Sequence, residues 1–164
     1  MLSDRPKRGS MVITQRMSLL IIFIVSLLTI IGALIFQWAG YEPCPLCLMQ
    51  RWAYYAVIPL SLVIAGVANA NAGVARWGLL LLALILIANS IFGIYHAGAE
   101  WKFWPGPSTC GGSLGDGLPT LTNDPVVRCD EAAIRILGLS LAGWNAVICA
   151  ALAVIAVKGA SRKV

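Results

Sequence analysis

The chain has 164 residues, of which 59% are hydrophobic and 12% charged, against roughly 25% charged in an ordinary soluble domain. That composition excludes a water-soluble globule, whose core cannot hide so much apolar surface. The net charge of +5 comes without a basic stripe interleaved with aromatics, which argues against a nucleic-acid surface.

Uncharged runs extend over residues 17–41, 52–75, 77–99 and 136–157. Each exceeds the roughly 20 residues that an α-helix needs to cross about 30 Å of hydrocarbon, and is too long for barrel strands of about 10 residues. Backbone amides in lipid must be satisfied within the segment, so the runs predict helices. The expected fold is all-α, a four-helix transmembrane bundle making one integral membrane domain over 1–164. Its helices are expected at about 18–38, 46–67, 77–97 and 137–157, joined by outer loops at about 39–46 and 98–136.

The first span follows Arg5, Lys7, Arg8 and Arg16, as a secretory signal would. Its apolar stretch is longer than a signal h-region of roughly 7 to 15 residues, and no small-x-small site closes it, so it reads as an uncleaved anchor. A short loop with Pro43 and Pro45 leads to the second span, where Pro59 predicts a kink. A tight turn over 68–76, with Asn69, Asn71 and Gly73, precedes the third span, which ends near His96. The segment 100–135 has five glycines and four prolines, the composition of a mobile surface loop. Within it Asp130 and Glu131 suggest a helix start, so part of 130–139 is expected to be helical. Trp38, Trp52, Tyr54, Tyr55, Tyr95, Trp101 and Trp104 fall near the outer ends of spans, the pattern of an interfacial aromatic belt.

Lysine and arginine set the orientation. The N-terminal tail, the 76 turn and the C-terminal tail hold Arg5, Lys7, Arg8, Arg16, Arg76, Lys158, Arg162 and Lys163, eight of the twelve basic residues. The other two loops hold six of the seven acids. Both termini are therefore expected on the cytoplasmic side and both loops outside.

Four of the five cysteines, Cys44, Cys47, Cys110 and Cys129, lie in those outer loops, and Cys149 lies in a span. Disulfides persist outside the cytoplasm, so two pairs suggest two disulfides. Cys44-Pro45-Leu46-Cys47 stands where a loop becomes a helix. Pro45 suits the first helical position, which puts Cys44 near the N-cap and both sulfurs on one face. Free amides and the positive helix end favour a thiolate there and speed exchange. The alternative is a metal site, since zinc centres share the Cys-x-x-Cys spacing, but the two pairs differ too much in spacing for a ribbon or knuckle. Cys110 and Cys129 enclose 18 residues. They suit either a structural bridge, stabilising by roughly 3 kcal/mol, or a disulfide presented to another protein. Cys149 reads as a small buried apolar residue without a role.

Arg51 follows Cys44 by seven residues and Cys47 by four, on one helical stripe. A guanidinium one turn into a membrane helix is costly unless it snorkels or has a partner. Against a plain interfacial arginine stands a functional reading, in which Arg51 meets a carbonyl of a lipid-soluble carrier, with quinone the sink for the thiols' electrons. His96, the only histidine, ends the third span on the same side and is a candidate to bond that carrier or take a thiol proton. Gln50 and Glu100 are weaker candidates.

The chain resembles the disulfide bond formation protein B (DsbB) family of bacterial inner-membrane quinone reductases. The resemblance lies in the four spans, in Pro43-Cys44-Pro45-Leu46-Cys47 with Gln50-Arg51, in 104–110 (Trp-Pro-Gly-Pro-Ser-Thr-Cys), and in Cys129-Asp130-Glu131 leading to Gly138-Leu139. It implies that Cys110 and Cys129 form the disulfide that oxidises a periplasmic thioredoxin-fold partner resembling DsbA. It implies too that Cys44 and Cys47 pass electrons to ubiquinone or menaquinone beside Arg51, and it calls for no metal. Cys149 is extra to the family pattern and the loop between Cys110 and Cys129 is short, which leaves room for a dedicated substrate. A vitamin K epoxide reductase-like enzyme is a second reading, but there the Cys-x-x-Cys follows the loop pair. A third is a non-catalytic membrane protein with a structural loop disulfide.

Overall fold

A computed structural model describes residues 8–68, 70–107 and 128–161. Among them, α1 (Arg8–Trp38), α2 (Pro45–Val67), α3 (Ala72–Glu100) and α4 (Leu141–Ser161) make an all-α bundle, as expected. All four are long and apolar enough to cross a membrane, α1 over Thr14–Trp38. The bundle is inverted relative to a soluble protein. Ile24, Ile35, Val63, Leu84, Ile91 and Val154 face outward, whereas Ser26, Gln50, Ser61, Asn89 and Asn145 are buried. Lipid tails solvate the first set, and the second finds partners only inside. Trp38 and Trp52 at the loop ends of their helices are largely exposed, 90% and 71%, as a belt requires.

Helices in lipid are held by close packing and interhelical hydrogen bonds, so small residues mark the contacts. The interface of α3 with α4 is the most extensive. A Cβ on Gly93 would stand 3.1 Å from Ala142 O and Ala146 Cβ. The same approach lets Ser90 Oγ donate to Ala146 O at 2.8 Å. At the other end of the bundle, a Cβ on Gly159 would meet Ser18 Oγ at 2.6 Å. Pro59 lies inside α2 without dividing it.

Two expectations change. The turn before α3 is shorter, because Asn71 caps the helix: its Oδ1 accepts from Gly73 N at 3.0 Å and Val74 N at 3.2 Å. Arg76 is thus within α3 rather than ahead of it. No helix forms within 130–139. Instead β1 (Arg135–Ile136) and β2 (Leu139–Ser140) pair antiparallel, Arg135 opposite Ser140 and Ile136 opposite Leu139. Leu137 and Gly138 both have positive φ, 52° and 86°, the signature of a two-residue type I′ turn. Trp144 Nε1 donates to Ile136 O at 2.9 Å and ties the hairpin to the first turn of α4. The acids expected to start a helix are engaged elsewhere: Asp130 pairs with Lys102 and Arg128, and Glu131 with Arg128 at 3.5 Å.

Candidate functional site

The bundle's loop end gathers the start of α2, the end of α3 and the hairpin before α4. Cys44 caps α2 with Pro45 in the first turn, as the spacing predicts, and its Sγ accepts from Cys47 N at 3.2 Å. Cys44 and Cys47 are both free thiols, with sulfurs 2.7 Å apart. The helix places them on one face, three residues apart.

His96 Nε2 comes within 3.5 Å of Cys44 Sγ. With Gln50 Nε2 donating to His96 Nδ1 at 3.0 Å, as the amide is assigned, the imidazole proton lies on Nε2, facing the sulfur. Glu100 Oε1 is 3.7 Å from the same nitrogen. The Cys47 thiol, the His96 ring and the Cys47 amide together hold Cys44 well below the ordinary thiol range, at about 5, against the opposing effect of burial. A thiolate is therefore the resting form of reduced Cys44 near neutral pH.

Cys129 is disulfide-bonded and fully buried, packed with Cys44 and Leu46 against Cys47 and Phe92. The ion pairs of Asp130 fasten this segment to the end of α3, and Lys102 and Arg128 hold the Asp130 carboxyl at about 2. Cys110 lies outside the described residues. Beyond α3, Trp104 stacks on Tyr95 at 5.9 Å and its Nε1 donates to Tyr95 O at 2.9 Å. Gly98 makes room for that ring: a Cβ there would fall 2.0 Å from Trp104 Cζ2.

On the other side of the thiol pair a cavity of about 360 Å³ opens between α1, α2 and α4. Leu28, Ile30, Phe36 and Ile148 supply apolar wall, and Cys47, Gln50, Arg51, Tyr54 and Asn145 supply the polar groups. Arg51 does not reach into solvent alone: its guanidinium donates to Gln37 Oε1 at 2.7 Å. His96 is absent from the lining and reaches Cys44 instead. Tyr54, expected in the interfacial aromatic belt, is instead buried and bonded to Asn145 inside the bundle; the sequence signal for both is a polar side chain within a spanning segment, which faces the interior and marks function by default. Cys149 is not merely apolar filling, since Tyr54 Oη and Asn89 Nδ2 lie 3.2 and 3.3 Å from its sulfur.

Cys44, Cys47 and His96 have ligand atoms within 4.8 Å of one another. Two thiolates on one tetrahedral zinc, with bonds of about 2.3 Å, would stand about 3.8 Å apart. The 2.7 Å separation is shorter than a shared zinc would impose.

The family model described as disulfide bond formation protein DsbB matches residues 15–158. A disulfide bond formation protein B of Azoarcus sp. (strain BH72) is 32% identical over 124 residues, 70% of this chain and 72% of the relative. Its counterpart in Pseudomonas syringae pv. tomato is 32% identical over 141 residues, 79% and 80% of the two chains. An uncharacterized protein of Rickettsia prowazekii is 25% identical over 135 residues, 77% of this chain and 76% of the relative. No solved structure gives a significant match. With the four membrane-spanning helices and the paired thiols at their loop end, the match over nearly the whole length makes this multi-pass membrane protein a member of the disulfide bond formation protein DsbB family.

Proposed function

We propose that the protein is a membrane thiol:quinone oxidoreductase that reoxidises a DsbA-like thioredoxin-fold dithiol oxidase in the periplasm and delivers the electrons to ubiquinone or menaquinone. The observation that carries this reading is the packing of disulfide-bonded Cys129 directly on the Cys44/Cys47 pair, with a cavity on the pair's far side. One disulfide on one flank and an apolar cavity on the other are what a relay needs. The protein sits in the bacterial inner membrane as one domain, termini cytoplasmic and both loops periplasmic, a sidedness supported by the distribution of basic residues.

In the reaction a thiolate of the partner attacks the Cys110–Cys129 disulfide, most directly at Cys110, and the partner's second thiol resolves the mixed disulfide. The partner leaves oxidised, and Cys110 and Cys129 become thiols. Cys129 then attacks the Cys44–Cys47 disulfide, and Cys110 displaces the mixed bridge. The loop disulfide re-forms, and the two electrons rest on Cys44 and Cys47, one proton staying on the Cys47 thiol and the other passing to water because reduced Cys44 is a thiolate. Cys44 departs readily because its thiolate is stabilised, and a leaving thiol of low pKa leaves faster. His96 keeps a proton beside that sulfur, and Gln50 holds the ring in place.

The cavity fits a quinone ring: its volume is at the lower end of the range for small-molecule sites, roughly 300–1,000 Å³, and a few donors converge in an apolar wall. Arg51 is the candidate donor to one ring carbonyl. A bound quinone would supply the acceptor for the two electrons as the Cys44–Cys47 disulfide closes, with one proton from Cys47 and one from water completing the quinol.

Purified protein, a reduced DsbA-like partner and a short-chain ubiquinone should together reduce the quinone. Cys44→Ala and Cys47→Ala should each abolish turnover, whereas a purely structural loop disulfide predicts partner oxidation indifferent to both. No quinone reduction by the intact protein with both substrates present overturns the proposal.

A further inference from the structure

Two turns below the thiol pair, the wall of the cavity contains a buried polar cluster that the relay does not use. Tyr54 Oη donates to Asn145 Oδ1 at 2.7 Å, and Asn89 Nδ2 lies 3.5 Å from the same oxygen. These neighbours decide how the Asn145 amide is turned. Rotated by half a turn, its NH₂ would face the NH₂ of Asn89, donor against donor. Oδ1 therefore faces the cluster, and Asn145 Nδ2 is left with no protein acceptor although the residue is only 7% exposed. A buried amide N–H without an acceptor bears the full cost of its desolvation, and in lipid no water is at hand to relieve it. Asn145 lines the same cavity as Cys47, Gln50 and Arg51.

We propose that Asn145 Nδ2 is the hydrogen-bond donor to the second ring carbonyl of the quinone, opposite the carbonyl served by Arg51. The assignment rests on the quinone reading above. Tyr54, which holds Asn145, follows Arg51 on α2 by three residues, so Asn145 is held about one turn deeper in the cavity than Arg51. A ring held at one carbonyl can pivot; held at both, it keeps one face toward the Cys47 end of the cavity. Asn145 is thus a binding and orienting residue, and the donor it offers is neutral, so it does not add a charge to the interior of the bundle.

Trp144 lines the cavity as well, so occupancy should quench tryptophan emission. The full-length protein in detergent is titrated with a short-chain ubiquinone. Asn145→Leu keeps the side-chain size and removes the donor, and should raise Kd about three- to tenfold, the weight of one neutral hydrogen bond. Tyr54→Phe removes Asn145's internal partner but keeps its free N–H, and should raise Kd less. An unchanged Kd in Asn145→Leu overturns the proposal, and so does an equal loss in both variants, which would make the cluster merely structural. The wild type gives an independent reading by infrared spectroscopy: both carbonyl stretches of the bound quinone should move to lower frequency. One carbonyl left at its free-quinone frequency overturns the proposal even if Asn145→Leu fails to fold. Absence of any quenching in the wild type would instead overturn the quinone reading itself.

Discussion

The Cys44 thiolate can be tested through its pH dependence. With its pKa lowered from 9.0 to about 5, reduced Cys44 should be about 99% thiolate at pH 7, where an ordinary thiol of that reference value would be about 1%. Alkylation of the reduced protein by iodoacetamide, followed at Cys44 by fragment mass spectrometry, should therefore inflect near pH 5. The perturbation is His96→Gln, which removes the ring nitrogen 3.5 Å from the sulfur but leaves the Cys47 thiol and amide in place. A hydrogen bond to a charged group contributes about 1.5–3 kcal/mol, and the length of this one argues for the lower end. At about 1.36 kcal/mol per pH unit, the inflection should rise by about one unit, to about 6. The sign for stability follows: the folded pKa lies below the unfolded one, so the thiolate stabilises the reduced protein fully above about pH 9 and progressively less as pH falls toward 5. A wild-type inflection in the ordinary thiol range, or one unmoved by His96→Gln, would refute the reasoning.

Arg51→Ala should weaken the apparent affinity for quinone by about tenfold or more, as loss of a charged donor implies, while Cys44 alkylation stays as fast as in the wild type; an unchanged quinone dependence returns Arg51 to its interfacial role with Gln37. Gly98→Ala should drive Trp104 off Tyr95, because the added Cβ would lie 2.0 Å from the indole, and the displaced ring should red-shift tryptophan emission. Gly159→Val should push α4 from Ser18 and lower thermal stability in detergent by about 1–3 kcal/mol, the usual cost of overpacking a close contact.

The spans were legible because lipid leaves the chain few choices: length and charge alone located the four helices. Their ends were less so. A charge-based boundary placed the start of the third helix after Arg76, whereas the physical signal was the side chain of Asn71, a good N-cap five residues earlier. The hairpin before α4 escaped notice because Leu137, a poor residue for positive φ, occupies half of its turn, and Asp130 and Glu131 looked like helix-starting acids. At the site, the position of Cys44 at a helix N-terminus is local and could be read from Cys44-Pro45. The approach of His96 to Cys44 joins two helices 52 residues apart, and the cavity joins three. Neither has a spacing that a single sequence displays. Asn145 and Tyr54 left one faint trace, polar side chains in an otherwise apolar run.

The β1–β2 hairpin also limits how far Cys129 can travel. Its two strands and the Trp144 hydrogen bond make it a stiff extension of α4, and Arg135 at its base follows Cys129 by only six positions. Fully extended, six residues reach about 20 Å. Packed with Cys44 and Leu46, the Cys129 sulfur is held on the hairpin side by that short tether. In the proposed relay, exchange between Cys129 and the Cys44–Cys47 pair is then a unimolecular event at an effective concentration of the order of millimolar, with a rate independent of how much of the protein the membrane holds.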